Sequence, residues 1–93
     1  MQPSSPSTAF VRDPDIVAAD MDGETVMMSI ERGEYYGLSG IGPFLWGLLA
    51  QPMSMEALCR RVLAEYDVDE AICRADVTAF VEDLLTKGVL RRA

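Results

Sequence analysis

Ninety-three residues make one domain with a modest core, too short for a large enclosed catalytic cavity and its supporting shell. A hydrophobic share of 49% beside 25% charged residues describes a globular chain, so disorder is expected only locally. Eight basic against 15 acidic residues give a formal charge of −7, which repels a phosphate backbone and argues against nucleic acid as a partner.

Residues 1–14 read as a flexible tail. Pro3, Pro6 and the serines around them offer too little apolar surface to offset the entropy of ordering, although Phe10 and Val11 are candidate anchors. The opening has no basic segment followed by an apolar one, and no apolar run approaches the roughly 20 residues of a membrane span. A cytoplasmic location without membrane association is therefore expected, with the folded domain covering residues 15–93.

Ile16 to Met21 form a mainly apolar run, followed by Asp22-Gly23 and by Glu24 to Ile30 with partial alternation. Asp-Gly between two such runs signals a tight hairpin, because its turn needs positive φ at both central residues. On the second strand Val26, Met28 and Ile30 share one face and Thr25, Met27 and Ser29 the other; the more apolar set is expected to face the core. The turn Glu31-Arg32-Gly33-Glu34 leads to a third strand, Tyr35 to Leu38, which completes a meander and lies at its edge. That strand carries no lysine or proline to blunt the edge.

Ser39 is placed to cap a first helix, with Pro43 in its first turn and Pro52 beyond its end. Ser54 is placed to cap a second, Met55 to Tyr66, with Leu58, Val62 and Leu63 on one face. Asp69 caps a third that runs to about Lys87, where Gly88 stops it. At about 100° per residue, Cys73, Val77, Phe80, Val81 and Leu84 form its core arc. Beside that arc lies a second stripe, Ile72, Asp76, Ala79 and Asp83, which is either a solvated boundary or the wall of a groove. Val89 and Leu90 are expected to pack back as a short extended tail.

The chain has no histidine, which removes the commonest general base at neutral pH and the commonest metal ligand. Cys59 and Cys73 lie within helical apolar spacing and read as reduced, buried thiols, and the aspartates follow no calcium-loop pattern. Gly40 and Gly42 are followed by Pro-Phe-Leu-Trp, which offers no phosphate cradle. No catalytic residue, metal or cofactor is expected. What remains is an open strand edge, to which an extended peptide can add with main-chain hydrogen bonds supplying affinity. The negative charge would favour a peptide carrying lysine or arginine.

Three blocks in order, VAADMDGETVMM, GEYYGLSGIGPFLWGLL and DVTAFVEDLLTKGVL, resemble the PqqD-like family, the recognition elements for precursors of ribosomally made natural products. The resemblance runs from about Ile16 to Leu90, and YYGLSGIGPFLW is most similar to the stand-alone members of lasso-peptide biosynthesis. Many relatives have asparagine where this chain has Ser39; both residues cap helices. The resemblance implies an α+β, winged helix-turn-helix-like fold, with a three-stranded antiparallel sheet followed by three helices. It also implies a non-catalytic module to which the leader region of a precursor adds as a strand. The implied contacts are Glu34, Tyr35, Tyr36, Gly37 and Leu38, with Ile72, Asp76, Ala79 and Asp83 across the groove, the helix positions resting on the stripe described above. The implied partners are a cysteine-protease-like leader peptidase and an ATP-dependent cyclase.

Three alternatives stay open at this point. The first is the homologous role in quinone-cofactor biosynthesis. The second is a helix-turn-helix DNA binder, although the third helix offers only Arg74 and Lys87 against Glu70, Asp76, Glu82 and Asp83. The third is a structural dimer paired through the open strand edge.

Overall fold

The computed structural model of the chain describes residues 8–22, 24–38 and 40–93. Among these residues, six strands and three helices follow in the order β1 (Ala9–Arg12), β2 (Ile16–Met21), β3 (Glu24–Ser29), β4 (Glu34–Leu38), α1 (Gly42–Leu48), β5 (Met53–Ser54), α2 (Met55–Glu65), α3 (Glu70–Lys87) and β6 (Leu90–Arg92). The expected α+β architecture is present, with β2, β3 and β4 forming the antiparallel meander as a wing beside the three helices. A second three-stranded sheet, β5-β1-β6, joins the two ends of the folded unit. Among the described residues no helix is long and apolar enough to cross a membrane.

Local chemistry accounts for most boundaries. Met21 pairs with Glu24 across the first hairpin, and Asp22 stands at φ 53°, a left-handed conformation that aspartate tolerates better than most residues. Gly23, the other turn residue, lies outside the described residues. The Ser54 hydroxyl accepts a hydrogen bond from the Ala57 N–H at 3.1 Å, which caps α2. The Asp69 carboxylate accepts from the Ala71 and Ile72 N–H groups at 3.0 and 3.3 Å, which caps α3. Gly88 ends that helix at φ 77°, where a side chain would be strained.

Several expectations are corrected. The segment Ala9–Arg12, placed in the tail, is a strand: Phe10 is buried in the core, and Val11 pairs with Arg91. Two apolar side chains next to a waiting backbone edge are enough to order it. Residues 1–7 lie outside the described residues, as does Ser39. Helix α1 begins at Gly42, with Ile41 at its N-cap and no side-chain cap, so the N-terminal signal comes from Pro43 in the first turn.

The inward face of β3 is the opposite of the one expected. Met27 is fully buried, with Thr25 and Ser29 buried beside it, whereas Val26 and Met28 are half-buried and Ile30 is 66% exposed. Thr25 and Ser29 can be buried because both are hydrogen-bonded. The Thr25 hydroxyl donates to Asp20 Oδ1 at 3.1 Å, and Ser29 Oγ accepts from the Arg32 N–H at 3.3 Å. Satisfied hydroxyls at the rim thus outweigh the simple count of apolar residues per face.

Helices α2 and α3 pack through Leu58, Val62, Cys73 and Val77, all buried. Cys59 and Cys73 are buried free thiols, and the Cys73 thiol donates to the Cys59 carbonyl at 3.7 Å. Leu45, Trp46 and Leu49 of the α1 segment fill the space between these helices and the wing. The Arg12 guanidinium lies 4.8 Å from the Trp46 ring centre and donates to the Trp46 carbonyl at 2.8 Å, holding β1 to the end of α1.

Candidate functional site

The wing and α3 meet at one end and part at the other, leaving a groove between them. At the closed end, Arg32 in the β3–β4 turn donates through Nη1 to the Lys87 carbonyl at 2.8 Å. Lys87 in turn lies 5.1 Å from the centre of the Tyr36 ring and pairs with Asp83 at 2.8 Å. These contacts pin the C-terminal turn of α3 to β4.

Away from the pin lies a groove of about 480 Å³, lined by Gly37 and Leu38 of β4, Ile41 and Gly42 at the start of α1, and Asp76, Ala79, Phe80 and Asp83 of α3. Gly42 permits this meeting of three elements. A Cβ there would stand 3.1 Å from Leu38 Cβ and 3.6 Å from the Phe80 ring, so a larger residue would push the floor apart. Leu38, Ile41, Ala79 and Phe80 make the floor apolar, while Asp76 and Asp83 put two carboxylates on the helical wall. Asp83 is paired to Lys87, whereas Asp76 makes no ion pair among the described residues.

β4 pairs with β3 along one edge, in a register that sets Tyr36 opposite Met27 and Tyr35 opposite Met28. Its other edge has no strand partner among the described residues. The register places Tyr36 on the core side, where it packs against the core and donates to Glu34 Oε1 at 2.8 Å. That hydrogen bond to a carboxylate is the main influence raising the Tyr36 pKa. Tyr35 points to the opposite face and is 70% exposed.

Of the nine residues proposed from sequence, the structure brings Gly37, Leu38, Asp76, Ala79 and Asp83 together around the groove. Glu34, Tyr35 and Tyr36 lie on the same open strand but do not line it, and Ile72, 58% exposed near the start of α3, does not either. Ile41, Gly42 and Phe80 line the groove without having been singled out as contacts. The helical wheel had placed Phe80 within the core arc, although it lies one helical turn after Asp76 and so beside the groove stripe. Gly42 carried a weaker signal, as a costly glycine at a helix start.

This arrangement suits binding of an extended apolar segment. It offers a backbone edge, an apolar trough and two carboxylates, and among the described residues no cluster of three or more His, Cys, Asp or Glu side chains could hold a metal.

The family model described as coenzyme PQQ synthesis protein D (PqqD) matches residues 24–90. Among solved structures, one described as TbiB1 in complex with the TbiA(beta) leader peptide is 30% identical, with a TM-score of 0.80, covering 87% of this chain and 94% of that one. Another, lasso peptide synthetase B1 complexed with the leader peptide, is 24% identical, with a TM-score of 0.77, covering 88% of this chain and 96% of that one. No curated protein matches.

Proposed function

Since the chain belongs to the PqqD family, we propose that it binds the leader segment of a ribosomally made precursor peptide and presents it to maturation enzymes, catalysing nothing itself. The carrying observation is the edge of β4 that has no strand partner among the described residues, beside the groove lined by Leu38, Phe80, Asp76 and Asp83. A leader strand adds antiparallel or parallel to β4, exchanging main-chain hydrogen bonds, while alternate side chains enter the trough. The carboxylates favour a leader with a lysine or arginine near its apolar anchor. The 30% identical complex supports leader-peptide binding. The resemblance of YYGLSGIGPFLW to the stand-alone members of lasso-peptide biosynthesis favours a lasso-peptide system, in which the recipients would be a cysteine-protease-like leader peptidase and an ATP-dependent cyclase. The family description itself keeps the corresponding role in quinone-cofactor biosynthesis as the second reading.

The DNA-binding alternative loses its remaining support, because both cations of α3 are engaged, Arg74 with Glu70 and Lys87 with Asp83.

The test is titration of labelled leader peptides, taken from precursors encoded beside the gene, combined with proline substitutions along β4. Consecutive residues of an edge strand direct their N–H groups alternately inward and outward. Of Tyr36→Pro and Gly37→Pro, one therefore removes an outward donor and weakens leader binding at least tenfold with helicity retained, while the other removes a donor to β3 and lowers stability. Absence of saturable binding at micromolar concentration, or unchanged affinity in both variants, would overturn strand addition.

A further inference from the structure

An antiparallel sheet packed on one side normally shows polar residues on the other. The wing does not. Its register sets Val17, Met28 and Tyr35 in one row across the three strands, and Ala19, Val26 and Gly37 in the next, all on the face turned away from the core. Val17 is 48% exposed and Met21, further along β2, 59%. Ile30, just past β3, joins Val17 and Pro14 around a shallow hollow of about 330 Å³, edged by Asp15 and Glu31. Contiguous exposed apolar surface of this kind costs solubility and marks a contact site.

Charge identifies the class of occupant. From Asp15 to Leu38 the chain carries six carboxylates. Asp20 and Glu34 turn to the core side, where they accept from Thr25 and Tyr36, which leaves Asp15, Asp22, Glu24 and Glu31 for the rim, beside one cation, Arg32, whose guanidinium is engaged with the Lys87 carbonyl. A second copy docked face to face would set one acidic rim against another, and the like charges would oppose pairing. A partner with an apolar centre and a basic rim meets no such penalty.

We propose that the outer face of the wing, centred on Val17, Met28 and Tyr35, docks a second protein whose apolar patch is rimmed by lysine and arginine. β4 is shared between the two surfaces: its free backbone edge borders the groove, while the Tyr35 side chain belongs to the outer face. Peptide and protein therefore meet the same strand from different directions and can be held together. The choice of candidate partner rests on the leader-binding reading, since a maturation enzyme is the protein that must be brought to a bound leader.

Two variants avoid the groove. Val17→Ser with Ile30→Ser removes exposed apolar surface, and Glu24→Lys with Glu31→Lys reverses the rim without touching packed atoms. The probes are the purified leader peptidase and cyclase encoded beside the gene, each mixed with the full chain and followed by sedimentation velocity and titration, with leader-peptide affinity measured in parallel. One of the two enzymes should bind the native chain in a salt-weakened manner, and each double variant should lose at least tenfold in that affinity while binding leader peptide as before. The docking proposal is overturned if neither enzyme binds, if both variants bind as the native chain does, or if the native chain instead self-associates through this face. Failure of the leader-binding reading has a separate signature, loss of the peptide titration in the native chain.

Discussion

Asp76 and Asp83 stand on the same wall of the groove, seven residues apart on α3, yet they differ in what they can offer a ligand. The Asp83 carboxylate is 2.8 Å from Lys87 Nζ, so much of its field is cancelled locally, whereas Asp76 has no such partner among the described residues. Replacing each by asparagine removes one charge with little change of shape. For an exposed pair formed between Asp76 and a cationic leader side chain, the contribution is about 0.5–1 kcal/mol, or roughly a two- to fivefold loss of affinity. For Asp83→Asn the loss should be under about twofold, because its carboxylate is already held by Lys87 and is not free to pair with the leader. Asp76→Lys adds repulsion to the lost attraction and should cost roughly twice as much as Asp76→Asn. Fluorescence anisotropy with a labelled leader peptide measures all three. Repeating the series at about 1 M salt, where the screening length is about 3 Å, should compress the differences. Equal losses for the two asparagine variants, or a difference that salt leaves untouched, would refute the electrostatic account and return both residues to the solvated surface.

Two further predictions concern the frame that carries the site. Met27 is fully buried and Met28 faces outward, so Met27→Ala should lower unfolding stability by roughly 2–5 kcal/mol and Met28→Ala by under about 1 kcal/mol; urea denaturation with equal effects would contradict the observed register. The Cys59 thiol has its pKa raised chiefly by burial and next by the neighbouring Cys73, so the native protein holds it protonated above its ordinary range. Its stabilising contribution is present below the unfolded-state pKa and is lost as pH rises through the higher folded value. Alkylation followed at alkaline pH should accordingly be slow in the native state and fast in denaturant, and rapid native labelling of Cys59 would show that the α2–α3 contact opens readily.

Most of the architecture was legible because it rests on local chemistry. Asp22-Gly23 between apolar runs fixes the first hairpin, Ser54 and Asp69 announce α2 and α3, and Gly88 ends α3 for a backbone reason. The β5-β1-β6 sheet was not legible, since its strands are short and far apart in sequence, and they meet through the packing of Phe10 and Leu90 and through pairing across the chain's two ends. The inward face of β3 was misread for a different reason. Apolar count favours Val26, Met28 and Ile30, but hydrogen bonding and cross-strand packing decide: Asp20 and Arg32 satisfy the polar neighbours of Met27, and Ala18 and Tyr36 flank Met27 in the register. In the groove, the strand residues followed from the unblunted edge and the family resemblance and the Asp76, Ala79, Asp83 stripe from periodicity, whereas Ile41 and Gly42 entered only once α1 was seen to start against Leu38.

That missed sheet bears on how the groove works. β6 follows directly from α3 and pairs with β1, the Asp13 N–H donates to the Val89 carbonyl at 3.0 Å, and Arg12 ties β1 to Trp46. The far end of α3 is therefore held twice, through β6 to the end of α1 and through Arg32 and Tyr36 to the wing. With α3 fixed at that end and Gly42 allowing Leu38 to rest against α1, both walls of the groove stand before any ligand arrives. An incoming extended peptide then bears most of the ordering cost itself, while the protein contributes a preformed edge and trough.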